Sequence, residues 1–147
     1  MAKKSYGATD ALFIVTMALP ELTYGLEVYS DAIDLCLSDA GLLLADCELE
    51  ITIPALTEEE FLTTDRLEIG IVDSDSNVDA DYEWQNNAVW HPVASIRPEF
   101  DGGHPGVTLR HRIHTDTQRY IRVYAGPGPD SSGLDLSAKN LVARLLF

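Results

Sequence analysis

Alternation of apolar and polar residues is the strongest pattern in this chain of 147 residues. In the clearest segment, 47–53, Cys47, Leu49, Ile51 and Ile53 alternate with Glu48, Glu50 and Thr52. The same alternation covers 66–71, 107–114, 120–125 and 141–147, and weaker candidates cover 12–18, 32–36 and 89–96. A period of two predicts strands that place one face in a core and the other in solvent.

About eight short strands separated by turn-forming residues predict an all-β fold, a jelly-roll-like β-sandwich of antiparallel strands. The breaks lie at 73–81, 98–105 and 125–133, which are rich in Gly, Pro, Asp and Ser. A single helical turn is expected at 57–62, because Thr57 and Glu60 have the spacing of a capping box. We expect residues 26–147 to form one domain, and residues 1–25 to form an N-terminal arm or the first strand.

The composition narrows the range of partners. Asp and Glu number 24 against 10 Lys and Arg, which gives a formal net charge of −14. Binding to nucleic acid or to an anionic membrane needs a basic surface, so we expect neither as a partner. The acids are concentrated in residues 1–90, and residues 91–147 have a small excess of bases. Cys36 and Cys47 are too few for a disulfide scaffold and are expected to be reduced.

An apolar run at 11–19 follows Lys3 and Lys4 and has some features of a signal peptide. Asp10 interrupts the approach to this run, Pro20 ends it, and no small-residue cleavage site follows. We therefore expect a strand, or an arm that docks on a neighbour, and synthesis in a cytoplasm.

The segment 73–79 resembles the start of a calcium-binding loop, with Asp73, Asp75 and Asn77 as possible oxygen ligands. The sixth position of such a loop should be Gly and is Val78, and the twelfth should be Glu and is Trp84. A solvated acidic loop is therefore the favoured interpretation. These three residues are retained only as a weak metal-site candidate, and no cofactor is expected.

Catalytic and zinc-binding patterns are not found. The four histidines are His91, His104, His111 and His114. His111 and His114 lie three apart on a predicted strand and should face opposite sides, which does not suit a zinc site. The chain has no nucleophile elbow and no phosphate-binding glycine loop. We therefore expect a protein that is not an enzyme.

The segment 107–125 is predicted to form a hairpin with a distinctive outward side. Its outward residues are Arg110, Arg112, Tyr120, Arg122 and Tyr124. Arg and Tyr are enriched at the centres of protein interfaces, so one interpretation is a protein-contact surface. The alternative is intramolecular pairing of the arginines with Glu48, Glu50 or Glu68 on neighbouring strands.

Three segments resemble a family of small decoration, or cement, proteins found on the capsids of tailed bacteriophages. The first is 12–35, with Tyr-Ser-Asp-Ala-Ile-Asp-Leu at 29–35; the second is Asp-Thr-Gln-Arg-Tyr-Ile-Arg-Val at 116–123; the third is the apolar end at 141–147. The resemblance implies a jelly-roll-like sandwich on the outer surface of the virion. It also implies contacts with several subunits of the major capsid protein, and self-association as a homodimer or, alternatively, a trimer.

A second hypothesis assigns the protein to a different functional class, that of ligand-binding modules. A β-sandwich of this kind can bind a ligand or carbohydrate, with help from calcium at 73–81. In that case Trp84 and Trp90 would stack on sugar rings. Packing of both tryptophans in the core or in an interface is the plainer interpretation, and the capsid-binding hypothesis is favoured.

Overall fold

The computed structural model describes residues 13–35, 47–75, 88–114 and 116–146. In these ranges it contains nine β-strands and no α-helix, which confirms the predicted all-β class. The strands are β1 (Ile14–Ala18), β2 (Val28–Tyr29), β3 (Ile33–Asp34), β4 (Glu48–Ile53), β5 (Leu67–Ser74), β6 (Val89–Ile96), β7 (Val107–Arg112), β8 (Tyr120–Pro127) and β9 (Asn140–Leu146). Among the residues described, no helix is long and apolar enough to cross a bilayer.

The strands form two antiparallel sheets packed face to face. The first sheet has the order β1-β9-β4-β7, and the second has the order β2-β8-β5-β6 with β3 also paired to β8. Most connections pass from one sheet to the other, as in a jelly roll. The predicted β-sandwich is therefore confirmed. The segment 14–18 pairs along its whole length with β9, as the outermost strand of the first sheet.

The core is built largely from the apolar residues that the alternation pattern assigned to the inner faces, together with residues outside the strands such as Leu22, Phe61 and Leu136. All four inward residues of β4 and its approach, Cys47, Leu49, Ile51 and Ile53, are buried. The inward residues of β5, β8 and β9 are also buried: Leu67, Ile69, Ile71, Ile121, Val123, Ala125, Leu141, Ala143 and Leu145. Burial of each Leu or Ile stabilises the fold by about 1.5–3 kcal/mol. The Cys47 thiol is free, and burial raises its pKa to about 11.

The structure differs from the sequence pattern mainly at strand ends. β5 continues through Ser74 into the predicted acidic break, and β7 ends at Arg112, two residues earlier than expected. The short strand β2 was not predicted. The capping box is present, since the Thr57 backbone N–H donates to Glu60 at 2.9 Å and the Glu60 N–H donates to the Thr57 hydroxyl at 3.3 Å.

Loops that cross between the sheets are joined at one end of the sandwich, which we call the crossover end (residues 19–27, 54–66, 97–106 and 128–139). Asp65 is buried there and links two of these loops. Its carboxylate accepts hydrogen bonds from the Ser132 backbone N–H at 2.7 Å, the Ser132 hydroxyl at 2.9 Å and the Leu62 N–H at 2.8 Å. The crossover end is thus a fixed frame for the side chains that project from it.

Candidate protein-contact surfaces

The predicted hairpin at 107–125 is wrong. β7 lies in the first sheet and β8 lies in the second, so the two strands are not paired. Alternation identifies a strand and its inward face but does not identify its neighbour, and the segment 113–119 is long enough to cross between sheets. The five candidate residues are therefore divided between two outer faces and do not converge.

On the outer face of the first sheet, Glu50 lies between two arginines. Arg110 on β7 donates to the Glu50 carboxylate at 3.1 Å, and Arg144 on β9 donates to it from Nε at 2.8 Å and approaches it from Nη2 at 2.7 Å. Arg110 also lies 3.6 Å from Glu48. The Glu50 side chain is nearly buried, whereas both arginines are substantially exposed. This is the intramolecular pairing considered for Arg110 on sequence grounds.

The position of β4 in the first sheet also determines how the uneven distribution of acids and bases along the chain is arranged in space. β4 comes from the acidic part of the sequence but lies between β7 and β9, which come from the less acidic part. Glu48 is opposite Arg112 in the register, and Glu50 is opposite both Arg110 and Arg144. On this face acids and bases are therefore interleaved, because strand order mixes distant parts of the sequence.

The outer face of the second sheet presents three aromatic side chains, Tyr29, Trp90 and Tyr124, which we call the aromatic surface. Tyr124 lies across Gly70 on the adjacent strand, where a side chain would collide with its ring. The ring centroids of Tyr29 and Tyr124 are 6.4 Å apart. Trp90 hydrogen-bonds to Tyr29, and the Tyr29 hydroxyl donates to Glu27 at 2.8 Å.

The hydroxyl groups of this surface are held in their neutral form. Burial, reinforced by the hydrogen bond to Glu27, raises the pKa of Tyr29 to about 12. Burial and the nearby charges of Glu27 and Glu68 raise the pKa of Tyr124. Both tyrosines therefore remain hydrogen-bond donors at physiological pH. Tyr29 is 40% exposed and Trp90 is 42% exposed, so their rings are accessible to a partner.

The other members of the predicted site differ in accessibility. Arg122 is 5% exposed, and its Nη1 donates to the Ser30 carbonyl at 3.3 Å, which ties β8 to the segment between β2 and β3. Tyr120 is half-buried, with the Arg119 guanidinium 5.1 Å from its ring centre. Arg110 and Arg112 are exposed. Arg122 and Tyr124 therefore contribute to the domain's own packing. On the outer face of the second sheet, the exposed aromatic residues are Tyr29 and Trp90.

The weak metal-site candidate has a different environment from the one expected. Asp73 is a buried residue near the end of β5, not part of a solvated loop. His91 Nε2 lies 2.5 Å from one carboxylate oxygen, and Gln118 donates to the other at 2.7 Å. Asp75 is exposed, and Asn77 lies outside the described residues, as does Trp84. Among the residues described, no group of three His, Cys, Asp or Glu side chains is placed to hold a metal ion.

His111 and His114 do not face opposite sides, because β7 ends before His114 and the chain turns. Their rings are in edge contact with centroids 6.0 Å apart. Burial, followed by the proximity of His114 and His91, lowers the pKa of His111.

A turn at residues 99–103, which we call the Phe100 turn, was not identified as a site from the sequence. Phe100 is 96% exposed and is the most exposed large apolar residue in the part of the chain that the structure describes. The sequence feature that could have revealed this turn is a large apolar residue, Phe100, inside a segment otherwise made of Pro, Gly and charged residues. A segment of this composition is typical of a surface turn, so Phe100 is placed at the surface together with it.

Comparison with known proteins returned no assignment. No family model matches the chain, and no curated protein or solved structure is significantly similar to it.

Proposed function

We propose that this protein is a structural component of a phage virion that binds the outer capsid surface and clamps neighbouring major capsid subunits. It would be made in the bacterial cytoplasm and would act as a homodimer or, alternatively, a trimer. Two lines support the proposal. One is the resemblance of 12–35, 116–123 and 141–147 to capsid decoration proteins. The other is the aromatic surface, whose chemistry suits binding to another protein.

The aromatic surface is the observation on which the proposal depends most. Trp and Tyr are over-represented among residues that dominate binding energy, because they bury a large area and lose little conformational entropy. Tyr29 and Trp90 are hydrogen-bonded to each other, and Tyr124 supports the Tyr29 ring. The exposed rings are therefore held in place before binding, which lowers the entropic cost of association.

The test uses capsids that lack this protein, taken from the phage that encodes it. Purified protein is mixed with these capsids, and the bound fraction is measured by co-sedimentation. We expect saturable binding, and a loss of about 2 kcal/mol, or about 30-fold in affinity, for Trp90→Ala. Tyr29→Ala should weaken binding in the same way. Tyr24→Ala is the matched control, because Tyr24 is an exposed aromatic residue outside this surface.

A second candidate function is carbohydrate binding, which the same surface favours. Half-exposed Tyr29 and Trp90 rings beside the Glu27 carboxylate offer a stacking face and a hydrogen-bond acceptor for sugar hydroxyls. Affinity electrophoresis against soluble bacterial polysaccharides separates the two functions. The carbohydrate function would be favoured if a polysaccharide slows the migration of wild-type protein but not of Trp90→Ala, and if wild-type protein does not bind capsids. Capsid binding without retardation would favour the proposed one.

A further inference from the structure

The exposure of Phe100 is not the result of a loose loop. The Phe100 turn is closed by two backbone hydrogen bonds, from the Glu99 N–H to the Gly103 carbonyl at 2.8 Å and from the Gly102 N–H to the Glu99 carbonyl at 2.9 Å. An apolar side chain that is fixed in solvent costs free energy that burial against a partner would recover.

The Phe100 turn is also anchored to the crossover end. The Gly103 N–H donates to the carbonyl of Phe61, a fully buried residue, at 2.7 Å. Leu56 and His104 exchange two backbone hydrogen bonds, both of 2.8 Å. Gly103 has φ of +72°, and a Cβ there would be 2.9 Å from the Leu56 carbonyl oxygen, so this close approach requires glycine. The position of Phe100 is therefore set by the fold.

The surroundings of Phe100 define the charge of a suitable partner. Beside it is an open depression of about 700 Å³ between the Phe100 turn and the segment 56–59. Its lining includes four exposed carboxylates, Glu58, Glu59, Glu99 and Asp101, and no Lys or Arg. A partner that covers Phe100 must bring these acids close to its own surface. Like charges there would oppose binding, whereas Lys or Arg around an apolar pocket would favour it.

We propose that Phe100 inserts into an apolar pocket, rimmed by basic residues, on the major capsid protein. This inference rests on the proposed function. A second copy of this chain is a poorer occupant, because its 24 acidic residues outnumber its 10 basic residues. The acidic surroundings also disfavour an anionic lipid surface.

The separation between Phe100 and the aromatic surface gives a physical basis for the clamping of two neighbouring capsid subunits by one molecule. β6 has Trp90 near its beginning and ends at Ile96, shortly before the Phe100 turn. The seven residues from Trp90 to Ile96 make six extended steps, which span about 20 Å. The aromatic surface and Phe100 are thus two separate contacts on one rigid sandwich. One contact binds one capsid subunit, and the other reaches its neighbour.

The experiment compares wild-type protein, Phe100→Ala and the control Tyr24→Ala in co-sedimentation with capsids that lack this protein. We expect Phe100→Ala to bind about tenfold more weakly or worse, with an unchanged urea-unfolding midpoint, and Tyr24→Ala to bind like wild type. A Glu99→Gln/Asp101→Asn variant should bind with a smaller dependence on salt.

The outcomes separate the two proposals. If wild-type protein binds and Phe100→Ala binds equally well, the Phe100 contact is overturned and the proposed function stands. If wild-type protein does not bind capsids, the proposed function fails and the Phe100 contact fails with it. If the charge-neutralised variant keeps the full salt dependence, the partner pocket is not basic and the inference is overturned in that respect.

Discussion

The ring of Tyr124 occupies the space above Gly70, such that a Cβ atom at position 70 would lie 2.3 Å from the Tyr124 Cζ. The two residues are directly opposite each other on β5 and β8. The absence of a side chain at Gly70 thus leaves room for the Tyr124 ring, which lies next to the Tyr29 ring in a tilted arrangement.

Gly70→Ala should displace Tyr124 and destabilise the protein by about 1–3 kcal/mol, the usual cost of overpacking. In a Tyr124→Ala background the atoms nearest to the added methyl group are removed, so its cost should largely disappear. Urea unfolding of the wild type, both single variants and the double variant gives the coupling energy. Equal costs of Gly70→Ala in the two backgrounds would contradict this packing arrangement.

Removal of both arginines around Glu50 should cost more than the sum of the single substitutions. Arg110→Ala or Arg144→Ala leaves the Glu50 carboxylate one arginine partner, and because both arginines are substantially exposed each single loss should be modest, about 1 kcal/mol. The double variant leaves a nearly buried charge without either arginine, which is far more costly. Adding Glu50→Gln to the double variant should recover part of the lost free energy of unfolding. Strict additivity would show that the arginines do not share Glu50.

Asp65 should be one of the most sensitive polar positions in the domain. Asp65→Ala removes three hydrogen bonds to a buried carboxylate and should lower the free energy of unfolding by about 2–4 kcal/mol. Asp65→Asn keeps one acceptor oxygen and should lose less. Asp135→Ala is the control, since Asp135 is exposed on a loop of the same end. Similar losses for Asp65→Ala and Asp135→Ala would show that the crossover end is not held through Asp65.

His111 should contribute to a loss of stability in mild acid. Its pKa is lowered in the folded protein, so the unfolded chain takes up the proton first as pH falls. The contribution of neutral His111 to the free energy of unfolding is constant above the pKa of the unfolded chain, about 6.5. It is lost as pH falls from there through the lower pKa of the folded protein. Urea unfolding at pH 7.5 and pH 5.5 should therefore show a smaller drop for His111→Gln than for wild type. An equal drop in both would indicate that His111 titrates alike in the folded and unfolded states.

The strands and the core were predictable because each depends on local sequence. Leu49 and Ile51 alternate with polar residues, and their counterparts on β5, β8 and β9 recur at the same period of two, which is enough to assign them to the inner face. The capping box of Thr57 and Glu60 is likewise a relation between residues three apart.

The surfaces were harder to predict because they depend on which strands are neighbours. Arg122 alternates like an outward residue, yet it is buried against Ser30, a contact between residues 92 positions apart. The pairing of Arg110 with Glu50 was one of two alternatives, and only the order of β7 and β4 decides between them. Trp90 and Tyr29 meet across two intervening strands, which no local pattern reveals.

The most direct test of capsid clamping is the thermal stability of the capsid itself. Capsids lacking this protein are heated with and without saturating amounts of it, and shell disassembly is followed by light scattering. We expect a higher disassembly temperature with wild-type protein, and a smaller increase with Trp90→Ala or Phe100→Ala. A disassembly temperature that does not change with saturating wild-type protein would show that the protein does not clamp the shell.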